Sequence, residues 1–165
     1  PLPSVDYNSA CSLQNREFEK RMKTDTLKAK KLTEDAGYTC VLCKNEKIYK
    51  SRESGIKPLL MFYENKEDLH SFCAADKTVG RAAAFIYIAF GIDEIYADVM
   101  SEGAYELLLK NGIGAFYGTL TKQIINRAGT GICHMEKACL NAKNSAQAIL
   151  AIKEKMRLLN LTQPH

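Results

Sequence analysis

Ser71-Phe72-Cys73-Ala74-Ala75, then Asp76-Lys77-Thr78, then Val79-Gly80-Arg81-Ala82-Ala83-Ala84-Phe85-Ile86-Tyr87-Ile88-Ala89-Phe90: the two apolar runs flanking this short polar break decide the fold class. The first is a short, continuous apolar run of the kind buried at the centre of a sheet. The second is apolar nearly all round and carries Gly80 and three consecutive alanines, which predicts a buried helix packed closely on that sheet. Downstream, Glu94 to Met100 alternates as a strand, Glu102 to Lys110 makes an amphipathic helix closed by Asn111-Gly112, and Ala115 to Thr119 is a further strand. Upstream, Tyr38 to Cys43 and Lys47 to Ser51 form a hairpin across Lys44-Asn45-Glu46. Gly55 and Pro58 then open a helix through Leu59 to Tyr63, closed by the polar Glu64 to Asp68. Ser145 begins a last helix with Ala148, Ile149, Ile152, Met156 and Leu159 on one face, and the charged segment to about Glu34 reads as one or two helices. The sum predicts an α/β protein: a three-layer α/β/α sandwich with a mixed sheet of about five strands. Residues 1–36 are expected as an N-terminal helical extension and 37–165 as the domain proper.

A chain of 165 residues, 46% hydrophobic and 25% charged, can bury one sizeable core in one domain. The net charge of +4 comes largely from Arg16 to Lys31, where Glu17, Glu19, Asp25, Glu34 and Asp35 temper it. That mixture reads as a solvated helix face, not a nucleic-acid surface, and the tyrosines at 49, 63, 87, 96, 105 and 117 scatter over faces without making a stacking platform. No apolar run approaches the ~20 residues that span a bilayer, and Pro1-Leu2-Pro3-Ser4 lacks the basic-then-apolar pattern of an export signal. The six cysteines give no compact disulfide framework. A cytoplasmic location is therefore expected. Cys40 and Cys43 form a C-x-x-C, but on a strand residues three apart point to opposite faces, so buried structural thiols are expected there. Cys133 and Cys139, six steps apart on a helix, are no better matched.

Ile125 to Glu136 packs glycines, an amide, a guanidinium, a thiol, an imidazole and a carboxylate into twelve positions. Gly129 and Gly131, with Thr130 between them, let backbone N–H groups approach a ligand, and the helical run that follows aims its positive end at the same place. Asn126 and Arg127 suit a phosphate or carboxylate; the alternative is that Arg127 pairs with Glu136 or Asp76 to hold the loop. Cys133 at the start of a helix over 133–140 is a candidate nucleophile, against the commoner fate of a free buried thiol. Glu136, one turn on, is the candidate general base, whereas His134 points elsewhere. Asp76 and Lys77 are expected where a strand ends and a helix begins, a place where ligands collect in open sheets. Asp76 reads equally as a helix cap with Thr78 in support. Lys77 opposes the helix dipole there and calls for an anionic ligand or a nearby carboxylate. Ser101 and Glu102 hold the equivalent place one unit later, by default as cap and first-turn carboxylate, and the two crevices are expected to face one pocket. His70 is expected to cap a charged helix end.

The order of elements resembles the cytidine-deaminase-like superfamily. More closely, Ser51 to Leu60, Ala74 to Ala84 and 126–136 resemble an uncharacterised bacterial family of unknown function assigned to it. The resemblance implies metal-binding helix starts of the H-x-E and P-C-x-x-C type. These are expected at Asp76 to Arg81 and Ser101 to Tyr105, and neither carries His or Cys. Zinc hydroxide chemistry then lacks its ligands. No metal and no cofactor are expected. The leading expectation is a zinc-free protein that binds a small anionic or nucleobase-like molecule, with enzyme activity left open. If it is an enzyme, Cys133 is the nucleophile, Glu136 and Asp76 move protons, and Arg127 and Lys77 stabilise negative charge. The alternatives are a ligand-sensing or protein-interaction module, and a metal or redox protein using Cys133, His134 and Cys139 with Cys40 or Cys73. The resemblance also suggests a homo-oligomer, with the 38–51 hairpin or the 79–90 helix at an interface.

Overall fold

In the computed structural model residues 7–162 are described, with side chains over 12–160; the Cys11 thiol, the start at Pro1 and His165 lie outside that range. Two helices come first, α1 (Tyr7–Arg21) and α2 (Thr24–Ala36). The hairpin follows as β1 (Cys40–Lys44) and β2 (Lys47–Ser51), and the chain continues as α3 (Lys57–Glu64), β3 (Cys73–Val79), α4 (Arg81–Phe90), β4 (Glu94–Ser101), α5 (Glu102–Lys110) and β5 (Gly114–Thr121). A short α6 (His134–Cys139) and a long α7 (Ser145–Thr162) close it. The five strands make one mixed sheet in the order β2-β1-β3-β4-β5, with β1 antiparallel to both neighbours and β3, β4 and β5 parallel.

Strand alternation sorts side chains between two helical layers. Leu42, Ala74, Ile95, Ala97 and Ala115 face one core, which α3 to α7 cover, with α4 at its centre. Val41, Cys43, Ala75, Tyr96 and Phe116 face the other, covered by Met22, Leu27, Ala29 and Leu32 of the N-terminal segment. Cys40 and Cys43 accordingly fall in different cores. The start of α2 is tied to the sheet by the buried Glu94, whose carboxylate accepts from the Lys23 N–H and the Thr26 hydroxyl, both at 2.7 Å. Packing thus runs straight across the expected boundary at residue 36, and α2 is one of the three layers.

One detail differs from the sequence reading. Strand β3 runs on through the polar Asp76-Lys77-Thr78, because parallel pairing with β4 continues to Val79 opposite Met100. Helix α4 therefore begins at Arg81 after an extended Gly80, and Asp76 and Lys77 are strand residues, not the opening of a helix. Helix α4 is largely enclosed within the chain, as its apolar sequence predicts: Ala82 to Tyr87 are all buried, and Ala89 is exposed in the last turn. Among the described residues no helix is long and apolar enough to cross a membrane.

Candidate functional site

A cavity of about 320 Å3 opens at the C-terminal end of β3, between the beginnings of α3 and α4 and beneath the segment that links β5 to α6. Its size lies at the lower end of the range for small-molecule sites, about 300–1,000 Å3. Ile56 and Leu59 form one wall, Ala82 and Ala83 the opposite one, and Ile124, Ile125 and Met135 the roof.

Asp76 stands in the floor. Its Oδ2 accepts from the Tyr87 hydroxyl at 2.7 Å and its Oδ1 from the Thr78 N–H at 3.3 Å. The Cys40 thiol lies 3.4 Å from the same hydroxyl, so thiol, phenol and carboxyl form a row. Burial lifts Asp76 from near 3.8 to about 7, against the pull of the Tyr87 hydroxyl and the Thr78 and Lys77 N–H groups, with Asp98 adding to the rise. Burial also holds the Tyr87 phenol and the Cys40 thiol protonated far above neutrality. The charge of Lys77 is directed elsewhere: Lys77 borders the cavity, but its ammonium pairs with Asp98 at 3.2 Å. A strand carboxyl turned toward α4 and a lysine turned the other way is what alternation requires.

Glu136 is buried at the cavity edge, and both its oxygens are engaged. Oε2 accepts from the Arg81 N–H at 2.9 Å and Oε1 from the Ala82 N–H at 3.0 Å, so the carboxylate caps the positive end of α4. This works only because residue 80 is glycine: a Cβ there would fall inside the Glu136 carboxylate. The carboxylate expected as a general base thus also caps a helix, with one backbone N–H on each oxygen and further lone pairs left over. Cys133 lines the cavity half-buried and precedes α6, with no side-chain hydrogen bond at that cap.

The glycine loop closes on itself. Asn126 accepts at Oδ1 from the Thr130 N–H at 3.1 Å, donates its own N–H to Gly131 at 2.8 Å, and receives the Gly129 N–H at 3.0 Å, while Ile125 bridges Ile132. Gly129 takes the left-handed backbone at φ 71° that such a turn needs. Asn126 and Arg127 reach the cavity; Gly129, Thr130 and Gly131 stay outside its lining. Arg127 pairs with neither Glu136 nor Asp76: one guanidinium nitrogen donates to the Ser54 hydroxyl, ahead of α3. Ser101 and Glu102 lie apart. Ser101 is a buried cap accepting from the Ala104 N–H at 3.1 Å, and Glu102 is an exposed first-turn residue of α5. The two helix starts that face one pocket are those of α3 and α4.

Neither of them, Ser54 to Pro58 or Gly80 to Ala84, carries His or Cys. Among the described residues no three His, Cys, Asp or Glu side chains gather in a way that could hold a metal ion, so the residues present do not fit a zinc site. Cys139 is buried against α7, His134 is exposed and Cys73 lies in β3 across the sheet from α6, so the thiols and imidazole of the metal or redox alternative are dispersed. Among the described residues the cysteines are free thiols. His70 does not cap α3, which closes at Glu64 with Asn65; its ring lies against Gly91 instead.

Sequence reasoning missed Tyr87, Ser54 and Gly80. A signal for Tyr87 exists, since a phenol on an otherwise apolar buried helix must find a partner. Residues 28–156 match the family model for a domain of unknown function, DUF1893 (TM1506). The chain belongs to the DUF1893 family. A crystal structure of another DUF1893 protein (TM1506), from Thermotoga maritima at 2.70 Å resolution, superposes with a TM-score of 0.74 at 25% identity, covering 81% of this chain and 92% of that one. No curated protein matches the chain.

Proposed function

We propose that this DUF1893 chain is a zinc-independent relative of the cytidine-deaminase-like proteins that binds a small molecule, nucleobase-like at one end and anionic at the other, in the cavity between α3 and α4. The observation that carries the reading is Asp76: a carboxyl in an apolar-walled cavity, poised near neutrality and held by a neutral phenol, with no cation paired to it among the described residues. Such a group accepts from ligand N–H donors when ionised and donates when protonated. Arg127 uses one donor on Ser54 and has others for an anionic tail at the mouth. The superfamily placement is supported by the hairpin followed by three parallel strands with helices between them.

Calorimetry with pyrimidine and purine bases, their nucleosides and their 5′-monophosphates tests the reading. Binding in the micromolar range is expected, with Asp76→Asn weakening every ligand and Arg127→Ala only the phosphorylated ones. No binding of any of them at ~1 mM, a threshold of about 4 kcal/mol, would overturn it. A catalytic form of the same proposal is favoured by Cys133 lining the cavity. Glu136 and Asp76, which line the cavity with it, are then the carboxyl groups that can accept the thiol proton. Cys133→Ser abolishes turnover in that case and leaves binding in place; unchanged turnover removes Cys133 from the mechanism.

A further inference from the structure

Residues 124–136 bridge the two helix starts that wall the cavity. At one end Arg127 donates to Ser54 ahead of α3; at the other Glu136 accepts from the first two N–H groups of α4. The attachments differ in kind. Glu136 is buried, makes two hydrogen bonds to a helix end and fits against a glycine, whereas Arg127 and Ser54 are exposed and share a single bond. Between them, Ile125 to Ile132 is closed by its own bonds through Asn126 and Thr130, so it can move as one unit. Its roof-forming side chains, Ile124 and Ile125, rest on the cavity, and Ile125 is 53% exposed.

We propose that this segment is a strap that gates the cavity, hinged at Glu136 on α4 and fastened by Arg127 to Ser54. Its purpose as a gate rests on the cavity being a ligand site; its motion does not. Opening breaks the exposed fastening, swings the 125–132 turn away from α3, and leaves α6 seated on α4 and α7. Gly80 is then a positioning residue for the hinge. Its backbone, at φ −101°, suits an alanine equally well, so Gly80→Ala strains only the seat of the Glu136 carboxylate.

Hydrogen exchange read by mass spectrometry on the full chain, with iodoacetamide alkylation followed at Cys133, tests this without any ligand. Arg127→Ala is expected to speed exchange across 125–132 and alkylation of Cys133 about tenfold, on the scale of one charge-assisted hydrogen bond. The amides of Arg81 and Ala82 stay protected. Ser54→Ala should do the same, and the double variant no more than either alone. Gly80→Ala should expose the Arg81 and Ala82 amides as well. Unchanged exchange and alkylation in Arg127→Ala would overturn the fastening, and loss of protection at Arg81 and Ala82 in that variant would overturn the separate hinge. A failure of ligand binding touches neither readout.

Discussion

Because burial sets the titration of Asp76, and no cation among the described residues offsets it, the folded chain holds this proton more tightly than the unfolded chain does. Its pKa is raised from 3.8 to about 7, so its contribution to stability is complete below about pH 3.8 and is lost as pH rises through about 7. Asp76→Asn cannot ionise and escapes that loss. Relative to wild type it should gain stability between pH 4 and 8, by roughly 2–4 kcal/mol at the alkaline end. Denaturant unfolding at several pH values reads this; parallel curves for the two proteins would mean that Asp76 is ionised and well solvated in the fold. Tyr87→Phe tests the cause of the residual ionisation. It removes the hydroxyl that favours the charged form, so the Asp76 midpoint in a carbon-13 carboxyl titration should move above about 7, and a downward move would contradict the geometry.

At the scale of elements, what was legible in the sequence was what periodicity carries. The alternation from Glu94 to Met100, the hairpin over 38–51 and the one-sided Ala148, Ile149 and Ile152 of α7 reappear as β4, β1 with β2, and a buried helix face. What stayed illegible were choices made by partners distant in sequence. The polar Asp76-Lys77-Thr78 looked like a helix opening because nothing local shows that β4 continues pairing with it. That Glu136 caps α4 was hidden because its partners, Arg81 and Ala82, are more than fifty residues away. Ser101 makes the distinction measurable. As a buried cap on α5 outside the cavity lining, Ser101→Ala should cost about 1 kcal/mol in thermal or denaturant unfolding while leaving ligand affinity unchanged. A fall in affinity at unchanged stability would return Ser101 to the binding site.

For the molecule as a whole, the decisive question is whether the sheet can stand without the N-terminal helices. Val41, Cys43, Ala75, Tyr96 and Phe116 are each between 0% and 6% exposed, and they are covered mainly by α2 and Met22, with Phe18 of α1 against Phe116. Removing residues 1–36 would bare this face, and at roughly 25 cal/mol per Å2 the loss of a helix-sized cover exceeds the few kcal/mol by which small domains are stable. The cut would also leave the Glu94 carboxylate without the Lys23 N–H and the Thr26 hydroxyl that satisfy it. A chain of 37–165 is therefore expected to lose cooperative thermal unfolding and to bind a hydrophobic dye. A chain begun at Met22, which retains α2, should keep a single transition. Cooperative unfolding of the shorter chain would make α2 an appendage and restore the boundary at residue 36; collapse of both would assign the missing stability to α1, whose Phe18 packs on Phe116 and Tyr117 of β5.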